Sequence, residues 1–248
     1  PPDPPALQDW PGYLRREAPF IDTDALIEFL QDHFFQTNIP IGYGLGSSGA
    51  LCAAIYDRFA RQKSRKLPQL QAQLGAMEGF FHGSSSGLDP LTSYLNRPLL
   101  VTPEGCREVD FAREESLQGR IFLLDTGRSR QTAPLVAYFL ERCAEPAFEL
   151  VCREELAGAA NRGIDAFLQR EGRGLQDAWR QICRLQSLHF HRMIPEEWRA
   201  VWKKGLEEEQ FFLKLCGAGG GGFLLGWLPP GRQLPDVFST DRLLFPRI

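Results

Sequence analysis

Between two apolar runs, Phe211–Leu215 and Phe223–Trp227, the chain carries Cys216-Gly217-Ala218-Gly219-Gly220-Gly221-Gly222. An ordinary hairpin needs only two to five loop residues and one or two glycines. The two runs therefore read as strands around a glycine tract that is either a slack loop or a place where something packs closely against the backbone.

Further strand-like material occurs at Leu99-Leu100-Val101 and at Arg120-Ile121-Phe122-Leu123-Leu124, which ends at Asp125-Thr126-Gly127. Helical spacing is clearer upstream. Asp22 or Thr23 can cap a helix with Leu26, Ile27, Leu30, Phe34 and Phe35 on one stripe. Gly49 to Ala60 is apolar on nearly every side, and a helix starting near Pro68 carries Leu70, Leu74, Met77 and Phe81. From Thr132 to about Lys204 the pattern is helical, broken at Gly172-Arg173-Gly174 and at Ile194-Pro195. Because strands and helices are mixed without regular alternation, the expected class is α+β and not a doubly wound sheet.

The 248 residues, 43% hydrophobic and 24% charged, suffice for a core of one domain or two closely joined ones. A net charge of -3 provides no basic surface for a phosphate backbone, which argues against nucleic acid as a partner. No run of eighteen apolar residues appears, and the Pro-rich start lacks the pattern of a signal peptide, so the chain reads as free of the membrane, soluble and cytoplasmic. Cysteines at 52, 106, 143, 152, 183 and 216 never form a C-x-x-C pair and read as reduced residues in apolar surroundings. His189 and His191, two apart, would face different ways on a helix and make poor metal ligands as a pair.

Three segments carry candidate chemistry. In Gly44-Leu45-Gly46-Ser47-Ser48-Gly49-Ala50 small residues precede a helix whose first N–H groups are free, which is either a cradle for an anion or a tight turn with a serine cap. The glycine tract is the second. The third is Glu78-Gly79-Phe80-Phe81-His82-Gly83-Ser84-Ser85-Ser86-Gly87-Leu88-Asp89. Glu78 sits beside the apolar stripe of its helix, where a carboxylate needs a partner: a metal ion or a salt bridge. Asp89 follows a Ser/Gly loop that either projects it into a site or sets it as a helix cap.

Together these segments resemble the GHMP kinases, most nearly those that phosphorylate mevalonate. Pro40–Ala54 resembles the second GHMP signature, His82–Asp89 the H-G-x-P-S-G-x-D box, and Lys214–Gly222 the third signature. The resemblance implies a two-lobed α+β fold, with a ribosomal S5-like N-terminal part at 1–117 and a ferredoxin-like α/β C-terminal part at 118–248. It implies ATP-dependent phosphorylation of the primary hydroxyl of a small hydroxy acid, most simply mevalonate, with ATP and Mg²⁺ as cofactors. A homodimer is compatible with it. Gly44, Leu45, Gly46, Ser47, Ser48, Gly217, Ala218, Gly219 and Gly220 would bind the nucleotide. Ser48 and Glu78 would hold Mg²⁺, and Asp89 would serve as base or charge-positioning group. His82, Ser86, Arg130 and Thr132 would face the substrate; the last two come from Asp125-Thr126-Gly127-Arg128-Ser129-Arg130-Gln131-Thr132, which looks like the family's N-T-x-x-x-R-x-T. There are departures. No lysine-bearing first signature precedes Ile39, and its expected place is many tens of residues upstream. Ser85 stands where the box has proline, a change expected to affect loop stiffness more than chemistry, and Asn96-Arg97 replace Gly-Gly.

Overall fold

The computed structural model describes residues 7–110, 119–130 and 132–246. By internal contacts they fall into two units. One holds the described residues up to Pro40 and Gly46–Asp110, and the other holds Ile41–Leu45 and the described residues from Gly119 onward.

The first unit is built from α1 (Trp10–Glu17), α2 (Thr23–Asp32), α3 (Ser47–Phe59), α4 (Leu67–His82) and α5 (Leu88–Leu95), followed by the hairpin β1 (Leu99–Thr102) and β2 (Gly105–Glu108). Asp22 caps α2, accepting the Ala25 N–H at 3.2 Å, as the sequence suggested. The helix stops at Asp32, however, and Phe34 and Phe35 lie beyond it, Phe34 83% exposed. Their spacing mimicked a helical stripe, but the chain from His33 is extended and buries neither ring. Pro68 opens α4 in the first turn, where a missing N–H costs nothing. Leu14, Ile21, Leu26, Cys52, Ile55, Tyr56, Leu74 and Met77 form the core of this unit.

The second unit holds a four-stranded antiparallel sheet of β3 (Arg120–Asp125), β4 (Phe212–Leu215), β5 (Phe223–Leu228) and β6 (Leu243–Leu244), in the order β4-β5-β3-β6. In chain order this is second, third, first, fourth, the ferredoxin-like arrangement. Five helices separate β3 from β4: α6 (Thr132–Cys143), α7 (Pro146–Leu150), α8 (Ala157–Gln169), α9 (Gly172–His189) and α10 (Glu196–Glu207). A π-helical stretch, Val151–Leu156, joins α7 to α8, and Arg170 with φ 63° ends α8 just before the expected break. Phe122, Leu124, Trp202, Phe211, Phe212, Leu213, Leu224 and Trp227 are buried against these helices. Trp202 donates its indole N–H to the Cys183 carbonyl at 3.1 Å, so a large ring is buried without stranding its donor.

All six cysteines are free thiols. Burial pushes Cys183 up to about 12 and raises Cys52 further still, so these two behave as small apolar groups. Among the described residues no helix is long and apolar enough to cross a membrane.

Candidate active site

In the first unit, the end of α4, the loop after it and the start of α5 converge on the start of α3. Gly46 is its N-cap, with φ 70°, a left-handed conformation that glycine adopts without strain. No side chain among the described residues caps the helix, so the first N–H groups of α3 are open to an external acceptor. Ser48, in the first turn, donates its hydroxyl to Glu78 Oε1 at 3.1 Å and lies 3.1 Å from His82 Nε2. Glu78 and His82 are one turn apart on α4, a spacing that puts them on the same face.

Glu78 is 3% exposed. No basic side chain pairs with it among the described residues; two hydroxyls do, Ser48 on one oxygen and Ser85 on the other at 2.5 Å. The salt-bridge alternative is thus set aside. A buried carboxylate held only by neutral donors retains a large electrostatic demand for a cation. The neighbouring Cys52 thiol feels that charge: after burial itself, Glu78 is what raises its pKa.

Asp89 lies in the first turn of α5, but the cap position belongs to Gly87. Its carboxylate is exposed and has no hydrogen-bond or ion-pair partner among the described residues, so a capping role does not account for it. It faces the start of α3: a Cβ on Gly46 would stand 3.7–3.8 Å from the Asp89 side chain. Gly49 makes the closest approach, since a Cβ there would be 2.8 Å from the Pro90 nitrogen and 2.9 Å from the Asp89 carbonyl carbon. The small residues of Gly46–Gly49 thus let α5 settle onto α3 and bring Asp89 near Ser48.

Other expected residues have different surroundings. Ser86 accepts the Leu88 N–H at 3.4 Å and its carbonyl accepts from the Gln71 amide, so it shapes the turn into α5. Ser85 was missed as a chemical group; a serine in a Ser/Gly loop carries no local signal of which carboxylate it will meet. Asn96, in place of a glycine, keeps the left-handed φ of 51° that ends α5, and Arg97 pairs with Glu108 at 3.6 Å. Gln131 and the side chain of Thr132 lie outside the described residues.

In the second unit the glycine tract is not slack. Gly220 donates to the Met193 carbonyl and Gly222 to the Arg128 carbonyl, each at 2.7 Å, and a Cβ on Gly222 would strike the Tyr43 carbonyl. The close approach that the glycines permit is made largely by the protein's own backbone. Arg130 donates Nη1 to the Cys216 carbonyl at 3.1 Å, and its guanidinium occupies the space where Gly44 and Gly217 would carry side chains.

No group of three or more His, Cys, Asp and Glu side chains able to hold a metal occurs among the described residues. A cation at Glu78 would therefore need ligands beyond the carboxylate, and Ser48 together with phosphate oxygens at the α3 N-terminus suits Mg²⁺, which keeps few protein ligands. The residues present fit a Mg²⁺–nucleotide.

Residues 14–97 match the family model described as GHMP kinases N terminal domain. No curated protein matches the chain by sequence. Among solved structures, the chain is similar to L. major mevalonate kinase in complex with R-mevalonate, at 17% identity and a TM-score of 0.54, covering 75% of this chain and 57% of that one. It is also similar to mevalonate kinase from methicillin-resistant Staphylococcus aureus MRSA252, at 21% identity and a TM-score of 0.50, covering 94% of this chain and 79% of that one. The chain thus spans less than two thirds of the first of these structures, and at such identities the likeness is one of fold.

Proposed function

We propose, for a chain whose residues 14–97 match the GHMP kinases N terminal domain model, ATP-dependent phosphoryl transfer to the primary hydroxyl of a small hydroxy acid, with mevalonate as the first substrate to test. The observation that carries this reading is the buried Glu78, bonded only to hydroxyls among the described residues, one of them Ser48 at an uncapped helix N-terminus, with the unpaired Asp89 beside it.

Phosphoryl transfer asks a protein mainly for positioning and charge neutralisation. The N–H groups at the start of α3 supply donors and a positive dipole end for phosphate oxygens. Ser48 and Glu78 would hold Mg²⁺, which when bound neutralises charge on the transferred group. Asp89 accepts or orients the proton of the attacking hydroxyl, a role worth about 10²–10⁴-fold in rate. His82, 3.1 Å from Ser48 Oγ, remains a proposed substrate-side residue. In the second unit, Gly44, Leu45, Gly217, Ala218, Gly219 and Gly220 remain the proposed nucleotide-binding residues, and Arg130 supplies a forked cation suited to a carboxylate or a phosphate.

The test is a coupled ADP-release assay with mevalonate, phosphomevalonate, homoserine and a panel of sugars. Release that depends on mevalonate supports the reading as stated, and release with another alcohol moves the substrate while keeping the reaction. ATP binding with no release for any acceptor would replace the kinase reading by that of a nucleotide-binding relative.

A further inference from the structure

We infer that Ser85 is a positioning residue for Glu78, fixing which carboxylate oxygen is turned toward Ser48 to meet a divalent cation; the inference rests on the proposed role of Glu78 as a Mg²⁺-holding group.

The direction of each hydrogen bond around Ser85 is settled by what its partners can do. Gly87 N–H, 2.9 Å away, can only donate, so a lone pair of Ser85 Oγ is used there. The single hydroxyl proton then goes to Glu78 Oε2, at 2.5 Å. With that oxygen engaged, Oε1 is left turned toward Ser48, 3.1 Å away. One carboxylate oxygen and one hydroxyl oxygen therefore share a single locus. Without Ser85, Glu78 would keep only the longer bond from Ser48, and its carboxylate could turn to present either oxygen.

The seat of Ser85 is rigid for a backbone reason. Its carbonyl rests in a notch on α4, where a Cβ on Gly75 would be 3.2 Å from that oxygen and 3.3 Å from the Gly87 Cα. A Cβ on Gly87 would collide with the Gln71 carbonyl, so the turn from Ser85 to Gly87 is seated directly on the helix. Gly75 lies three residues before Glu78, on the same face, which fixes the reach from Ser85 to the carboxylate. Gly87 is also the N-cap of α5, whose first turn carries Asp89. A single hydroxyl thus ties the carboxylate proposed for the metal to the start of the helix that bears the proposed base. A proline at this position, as in the box that the segment resembles, has no hydroxyl and could make neither bond.

The experiment compares the parent chain with Ser85→Ala, Ser85→Thr, Glu78→Gln and the Ser85→Ala/Glu78→Gln double variant. Mn²⁺ is titrated in the presence of a non-hydrolysable ATP analogue, free Mn²⁺ is read by electron paramagnetic resonance, and folding is checked by circular dichroism and melting temperature. Ser85→Ala should weaken Mn²⁺ binding about tenfold or more, as losing a partner of a metal-holding group does. Ser85→Thr, which keeps the hydroxyl, should stay within about twofold of the parent. In the double variant Ser85→Ala should add little to Glu78→Gln, because its effect passes through that carboxylate. Parent-like Mn²⁺ affinity in Ser85→Ala, with Glu78→Gln still weakened, would overturn the inference and leave the metal site standing, whether or not the melting temperature falls. Parent-like affinity in Glu78→Gln would instead remove the metal-site reading on which it rests. Equal loss in Ser85→Ala and Ser85→Thr would also overturn it, since a hydroxyl role predicts rescue.

Discussion

Gly49→Ala isolates the contact that brings Asp89 to the start of α3. Gly49 is buried within α3, where an added methyl group would by itself favour the helix by about 1 kcal/mol. The new Cβ would, however, stand 2.8 Å from the Pro90 nitrogen, 2.9 Å from the Asp89 carbonyl carbon and 3.0 Å from Asp89 Cβ. Restoring ordinary contact requires α5 to retreat by roughly 0.6 Å, and two of these neighbours are backbone atoms that cannot swing aside. Overpacking of this kind costs about 1–3 kcal/mol, so after the helix gain the net loss should be about 1 kcal/mol, a fall of about 2–4 °C in melting temperature. The effect on chemistry should be larger, about tenfold in kcat, because a displacement near 1 Å of a reacting group costs about 10²-fold and this one is somewhat over half of that. The assay is kcat for ADP release with saturating substrates, set beside thermal melting. The control is Gly12→Ala in α1, where an added Cβ would meet nothing within 4 Å and activity should be unchanged. A Gly49→Ala protein with parent kcat and a raised melting temperature would refute the reasoning, because the methyl group would then have found room without moving Asp89.

Three further outcomes are expected. Asp89→Asn keeps size and hydrogen bonding but removes the charge, so turnover should fall by about two decades or more with ATP affinity and melting temperature little changed; retained activity in steady-state kinetics would reject Asp89 as the base. Arg130→Ala removes the guanidinium seated against Gly44 and Gly217, and KM for ATP should rise about tenfold; a rise confined to KM for the acidic substrate would assign the cation to a substrate carboxylate instead. The Ala25 N–H, and then Arg61, hold the Asp22 carboxyl below its ordinary value of 3.8, so its stabilising effect is present above that value and lost as pH falls through the depressed one. Asp22→Ala should therefore melt below the parent at neutral pH, and the gap should close in acid; a gap that is constant with pH would show that the carboxylate charge plays no part.

What the sequence revealed, and what it hid, follows from the range of each interaction. The helices α3 and α4 and the flanks of the glycine tract were legible because their signals are local: apolar spacing, Pro68 in a first turn, and two apolar runs around glycines. Glu78 was legible as a carboxylate in need of a partner because it borders the stripe of Leu74 and Met77. Its partners were not, since Ser48 lies 30 positions away and the role of Ser85 depends on a turn seated on Gly75. Phe34 and Phe35 misled because spacing does not record where a helix stops, and His33 turns the chain extended. The pairing of β3 with β5 and β6 spans about a hundred residues, so the sheet order could not be read from periodicity. The glycine tract was correctly marked as a site of close approach, but what approaches is in large part the carbonyls of Tyr43, Arg128 and Met193.

Because Ile41–Leu45 group with the later residues while the chain on either side groups with the earlier ones, the two units are not consecutive stretches of the gene. A single cut near residue 111, the obvious place to divide the chain for expression in pieces, would leave the later piece without Tyr43, whose ring lies 5.4 Å from Phe223 and whose carbonyl covers Gly222. Such a piece would expose Phe223, the buried first residue of β5, and the uncovered ring would make it prone to self-association. Dissection of this protein should instead graft residues 41–45 onto the later piece as a short peptide arm, or supply them in trans.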